Sequence, residues 1–111
     1  IILNGNKPEL VVGAAGGPRI ITATVQTILN VLDFRMPVKP AVEAERVHHQ
    51  WIPDRLNFES KIGADQRKAL EARGHALREQ SALGVVQAIT VNGSGASGAA
   101  DPRKTERART E

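Results

Sequence analysis

Leu10-Val11-Val12-Gly13-Ala14-Ala15-Gly16-Gly17-Pro18-Arg19-Ile20-Ile21-Thr22 is the stretch whose reading decides the fold. Leu10 to Val12 are apolar and partly β-branched, which favours a strand. Gly13 to Gly17 are all small, so the backbone can turn sharply there and pass close to a neighbour. Pro18 reads as the first residue of a helix, where its missing N–H costs nothing. The order is therefore strand, tight turn, helix.

Upstream, Asn4-Gly5-Asn6 before Lys7-Pro8 has the chemistry of a hairpin turn, so Ile1 to Leu3 is expected to pair with Glu9 to Gly13. Downstream, residues 18–33 carry many β-branched side chains, but periodicity favours a helix. Ile21, Val25, Ile28, Leu29 and Leu32 form one stripe, with Thr22, Gln26, Asn30 and Asp33 opposite, so the stripe is expected to pack on a sheet. Met36-Pro37 ends that helix, and a short one over Val38 to Glu45 tolerates Pro40 in its first turn. Arg46 to Asp54 has no clean period, and Pro53 makes it an irregular lead into a strand over Arg55 to Glu59. Gly63 and Gly74 bracket a helix over Ala64 to Arg73, whose weak apolar stripe places it on the surface. Ala76 to Gln80, Val85 to Val91 and Ala96 to Ala100 read as a meander of strands, with Asn92-Gly93 as a turn.

The expected fold class is thus α+β, a small and mostly antiparallel sheet packed by two or three helices. Residues 1–100 form the structured unit, and 101–111 is expected to be a polar, disordered tail. The chain has 111 residues, about one domain or a piece of one. Because it opens on Ile1-Ile2-Leu3 as if inside a strand, it is expected to be a fragment or a processed product. Its 41% hydrophobic and 24% charged residues predict a real core, and with only 3% aromatics that core must be aliphatic. The formal charge of +3 resides largely in Arg103, Lys104, Arg107 and Arg109, leaving the body almost neutral.

This balance narrows the chemistry. No apolar run approaches the roughly 20 residues needed to span a bilayer, so neither a membrane span nor an export signal is expected within the chain. With no cysteine, the chain has no disulfide, thiol nucleophile or cysteine-based zinc site. Few aromatics and no basic stripe argue against nucleic acid. His48, His49 and His75 lack a third ligand at metal-binding spacing, so neither a metal nor any other cofactor is expected. His48-His49-Gln50-Trp51 is expected to be a buried, hydrogen-bonded corner in which Trp51 is the largest side chain of the core.

No serine has an elbow or a base at useful spacing, and the carboxylates Asp54, Glu59, Asp65 and Glu71 are not obviously around a cleft. The glycine turn remains the informative feature. Gly16 and Gly17 ahead of a helix present unpaired N–H groups at the positive end of a dipole, where an oxyanion would sit, although glycine pairs before helices are also plain turns. The spacing fits neither a dinucleotide fingerprint nor a phosphate loop.

Taken together with Gln26-Thr27-Ile28-Leu29-Asn30, Arg46-Val47-His48-His49-Gln50-Trp51-Ile52-Pro53-Asp54, Leu70-Glu71-Ala72-Arg73-Gly74-His75 and Asp101-Pro102-Arg103, this stretch closely resembles the C-terminal part of the small subunit of gamma-glutamyltransferases. The resemblance runs in order over about residues 1 to 104. It implies a fragment of the αββα sandwich of N-terminal-nucleophile hydrolases. In such enzymes a precursor cleaves itself, and the threonine so exposed takes a γ-glutamyl group from glutathione or a related donor. Water or an amine then releases it.

The resemblance assigns the backbone N–H groups of Gly16 and Gly17 to the oxyanion hole. It gives Pro18, Arg19, His48, His49 and Trp51 structural roles, and leaves the nucleophile outside this chain, which alone would be inactive. Pro18 stands where the family usually has serine. The implied partners are the remainder of the small subunit and the large subunit, in the periplasm or outside the cell. An isolated chain is expected to self-associate through its uncovered edges. A glutaryl or cephalosporin acylase of the same superfamily, and a non-catalytic truncated paralogue, remain alternatives from these residues alone.

Overall fold

Asn-Gly chemistry at positions 4 and 5 yields the first hairpin, with Gly5 at φ +63° and β1 (Ile2–Asn4) antiparallel to β2 (Lys7–Ala15). The computed structural model of the chain describes residues 1–104. After β2 come α1 (Arg19–Leu32), α2 (Val38–Glu43), β3 (Val47–His48), β4 (Leu56–Glu59), α3 (Ala64–Ala72), β5 (Leu77–Gln80), β6 (Val85–Asn92) and β7 (Gly95–Ala100).

The strands make two sheets. One is wholly antiparallel in the order β1-β2-β6-β7, with Val11 opposite Ile89 and Ala15 opposite Val85. The other has the order β3-β4-β5, and its β4–β5 pair is parallel because α3 crosses over between them. The expected meander is corrected at this point: of its three strands β5 joins β4, and β6 and β7 alone pair as a hairpin. Five residues that favour strands locally cannot state which distant strand they will pair with.

Helices α1 and α2 cover one face of the four-stranded sheet, where Leu10, Val86 and Ala88 meet Ala23, Val38 and Val42. The opposite face, with Val11 and Ile89, is exposed. α3 buries no residue and lies on the surface.

The inward side of α1 differs from the expected stripe. Ala23 and Thr27 are its buried residues, with Ile28 and Val31 packed beside them, while Ile21 is 71% exposed and Val25 and Leu29 also face out. The polar side turns inward because it finds partners. Gln26 donates to the Val47 carbonyl (2.7 Å) and accepts from the Val47 N–H (3.0 Å), and the Thr27 hydroxyl donates to the Ala23 carbonyl (2.9 Å). Satisfied amides and hydroxyls can be buried at little cost.

The second correction concerns the supposed tail. Asp101 and Arg103 are buried, at 3% and 6% exposure, rather than loose. Residues 105–111, the rest of that expected tail, lie outside the described residues. No helix among the described residues is long and apolar enough to cross a membrane.

Candidate functional site

Gly16 and Gly17 form the link between β2 and α1, at φ +137° and +60°. Side chains rarely adopt such values, which is why the sequence places glycine twice. The Gly16 carbonyl accepts from the Arg19 N–H (3.3 Å) and the Gly17 carbonyl from the Ile20 N–H (3.1 Å), so the glycines cap the first turn of α1. Pro18 is the N-cap residue, with φ −62° and no N–H to offer. What remains at this end is the N–H pair of Gly16 and Gly17, neither of which donates to another backbone carbonyl among the described residues. No acidic side chain occupies the first turn of the helix, so nothing there offsets its positive end. Two unpaired donors beside a helix N-terminus can stabilise a developing negative charge.

The turn has a tight backing. A Cβ on Gly16 would come within 3.0 Å of the Gly84 Cα, and one on Gly84, at φ +84°, within 3.1 Å of the Ala23 Cβ. Gly84 thus wedges between the glycine turn and α1, at the point where the chain enters β6. Beyond it a cleft runs from Arg19 to Gln80, Ser81 and Ala82.

Behind Gly84 lies a cluster of four buried charges that sequence reasoning missed: Arg46, Glu59, Asp101 and Arg103. Arg103 grips Glu59 through two parallel bonds of 2.7 Å and reaches Asp101 at 3.0 Å, while Arg46 pairs with Asp101 at 2.8 Å. Two cations and two carboxylates cancel, and the remaining bonding capacity goes to backbone. Arg46 donates to the carbonyls of Val42 (2.7 Å) and Gly84 (3.2 Å), and Glu59 accepts from the Leu83 N–H (2.8 Å). Asp101 accepts from the Val86 N–H (2.8 Å).

Burial and the like charge of Arg103 push the Arg46 guanidinium below its ordinary value, with Asp101 opposing. Burial pushes Arg103 the same way, but the Glu59 and Asp101 carboxylates outweigh it and hold Arg103 above its ordinary value. Burial also works against the Asp101 carboxylate, yet the N–H groups of Val86 and Arg103 and both guanidiniums bring it below the usual range. Both arginines remain charged at any physiological pH. The signals were Arg46, one residue removed from the histidine pair, and the Asp101-Pro102-Arg103 tripeptide; nothing local marked them as buried.

The histidines separate. His48 is buried, its Nδ1 2.7 Å from the Thr22 hydroxyl of α1 and its Nε2 2.9 Å from the Gln50 side chain. His49 is half-buried, its Nε2 3.2 Å from Asp54. Trp51, expected in the core, is instead 78% exposed at φ +71°, with its N–H donated to His49 Nδ1 (3.0 Å). The corner is held by hydrogen bonds from its own histidines, which turn the indole outward. Among the described residues no group of three or more histidine or acidic side chains could hold a metal ion.

The helix-backed antiparallel sheet matches part of the fold of N-terminal-nucleophile hydrolases, the superfamily of its solved structural neighbours. The chain superposes on the Helicobacter pylori gamma-glutamyltranspeptidase T380A mutant with a TM-score of 0.87 and 42% identity, covering 93% of this chain and 58% of that one. A cephalosporin acylase from Bacillus halodurans gives a TM-score of 0.79 at 25% identity, over 87% of this chain and 19% of that one. The chain belongs to the gamma-glutamyltranspeptidase family, whose model matches residues 1–110. It is 40% identical over 107 residues to the glutathione hydrolase proenzyme of Escherichia coli, covering 96% of this chain but only 18% of that protein's length.

Proposed function

We propose that this chain is the C-terminal part of the small subunit of an enzyme that transfers or hydrolyses γ-glutamyl groups, and that it supplies the oxyanion hole. The observation that carries the proposal is the unpaired N–H pair of Gly16 and Gly17 at the positive end of α1. A threonine outside this chain, its own α-amine acting as base, would attack the γ-carbonyl of glutathione or a similar donor. The carbonyl oxygen takes up negative charge, and the two N–H groups stabilise it. Collapse expels the donor's amine and leaves a γ-glutamyl ester, which water or an acceptor amine then cleaves. In this scheme the segment is inactive alone. The remainder of the small subunit and the large subunit are its partners, and the outward apolar residues Ile21, Val25, Leu29 and Ile89 support cover by such neighbours. Placement in the periplasm or outside the cell belongs to the same proposal.

The test is an intact-mass determination of the full-length protein together with release from a γ-glutamyl anilide. A second chain starting with threonine, and turnover, are expected. A single unprocessed species without turnover overturns the proposal. Release from a glutaryl anilide alone would instead assign an acylase activity, which the lower identity to the cephalosporin acylase does not favour.

A further inference from the structure

Among the described residues none of the four buried charges is hydrogen-bonded to Gly16 or Gly17, yet they hold the segment behind the turn at both ends. Leu83 N–H is fixed by Glu59, the Gly84 carbonyl by Arg46, and the Val86 N–H by Asp101, whose own N–H donates to the Val86 carbonyl (3.1 Å). A Cβ on Gly84 would sit 3.1 Å from the Ala23 Cβ, and one on Gly16 only 3.0 Å from the Gly84 Cα, so the backbones of the two segments pass close to one another. A shift of a few tenths of an ångström in residues 83–84 therefore moves Gly16, because close-packed backbone has no slack. We infer that Arg46, anchored by Asp101 and supported by the Glu59–Arg103 pair, is a positioning residue for the oxyanion hole, setting the direction of the Gly16 and Gly17 N–H groups through Gly84. This rests on reading that N–H pair as the oxyanion site. Arginine suits the task because its planar fork reaches Asp101 and the Val42 and Gly84 carbonyls at once, whereas a lysine ammonium is a single point of attachment.

The experiment uses the full-length enzyme, with turnover counted per site titrated by the acyl burst. Arg46→Lys is expected to lower kcat per titrated site by about 10- to 100-fold with KM within about twofold, the pattern of an interaction made only in the transition state. Affinity for a boronic acid analogue of the γ-glutamyl group, which becomes tetrahedral on the nucleophile, is expected to fall with kcat. Affinity for a flat competitive inhibitor is expected to hold. Gly84→Ala keeps every charge and displaces the same segment, so it is expected to show the same split even where Arg46→Lys yields little folded enzyme.

A purely structural role would reduce the number of titrated sites and leave kcat per site and boronate affinity unchanged; that result overturns the inference. Gly16→Ala separates the two readings. Normal turnover there would remove the oxyanion site itself, whereas an inactive Gly16→Ala beside an Arg46→Lys with normal kcat per site would remove only the positioning role.

Discussion

The glycine turn and the charge cluster lie on either side of Gly84 and are built in opposite ways. Residues 16–17 have no side chain, carry no formal charge and leave donors unpaired; their shape comes from backbone angles that only glycine adopts readily. The cluster consists of long ionised side chains, with Arg46 at 2% exposure and Arg103 at 6%, and nearly every polar atom is spoken for. Unpaired donors suit a place where charge must appear and vanish. Fully paired charges suit a place that must not move, since removing one partner strands another in a dry interior. The difference teaches that rigidity and availability are separated in space here, with one glycine carrying the connection.

Breaking the rigid side is expected to cost most. Asp101→Ala leaves Arg46 without its carboxylate, and removing one partner of such a buried pair costs about 3–5 kcal/mol. Urea unfolding of the full-length protein measures it. The pH sign follows from the depressed carboxylate. The stabilisation is complete above the unfolded value of about 3.8 and is lost as pH falls below it through the lower folded value. The stability gap between wild type and Asp101→Asn should therefore be constant above about pH 5 and close below that range. A gap that narrows already near neutrality would contradict the pairing.

A smaller effect is expected on the available side. A Cβ on Gly17 meets nothing within 4 Å, so Gly17→Ala costs only the left-handed backbone strain, about 1–2 kcal/mol by thermal unfolding. A larger loss would mean that the turn is packed where it is drawn open. Smallest of all is the Lys39–Glu43 pair on α2, whose side chains are 73% and 38% exposed. Lys39→Ala should cost about 0.3–0.5 kcal/mol and less in high salt, which separates charge that is merely present from charge that is buried.

Local chemistry was legible where it acts locally. The Asn4-Gly5 hairpin, the end of α1 before Met36-Pro37, the glycines flanking α3 and the Asn92-Gly93 turn each follow from backbone preferences of one or two residues. So does the β2–α1 link, because Gly16, Gly17 and Pro18 permit little else. Trp51 misled because its size predicts burial, whereas the hydrogen bonds of His49 and Gln50 fix a corner that turns it to solvent. Arg103 misled in the other direction, since a charged residue near a polar stretch reads as loose.

By itself the sequence determined the order of the elements other than the two-residue β3, the glycine turn and the family, since each is written in contiguous residues. Only the tertiary structure decided which side of α1 is buried, that β5 joins β4, and that Asp101 and Arg103 belong to the core. The reason is the separation of the partners. Arg103 meets Glu59 across 44 positions and Arg46 meets Gly84 across 38, and the ion pairs and hydrogen bonds that offset the cost of removing those charges from water form only once both sheets have closed around them.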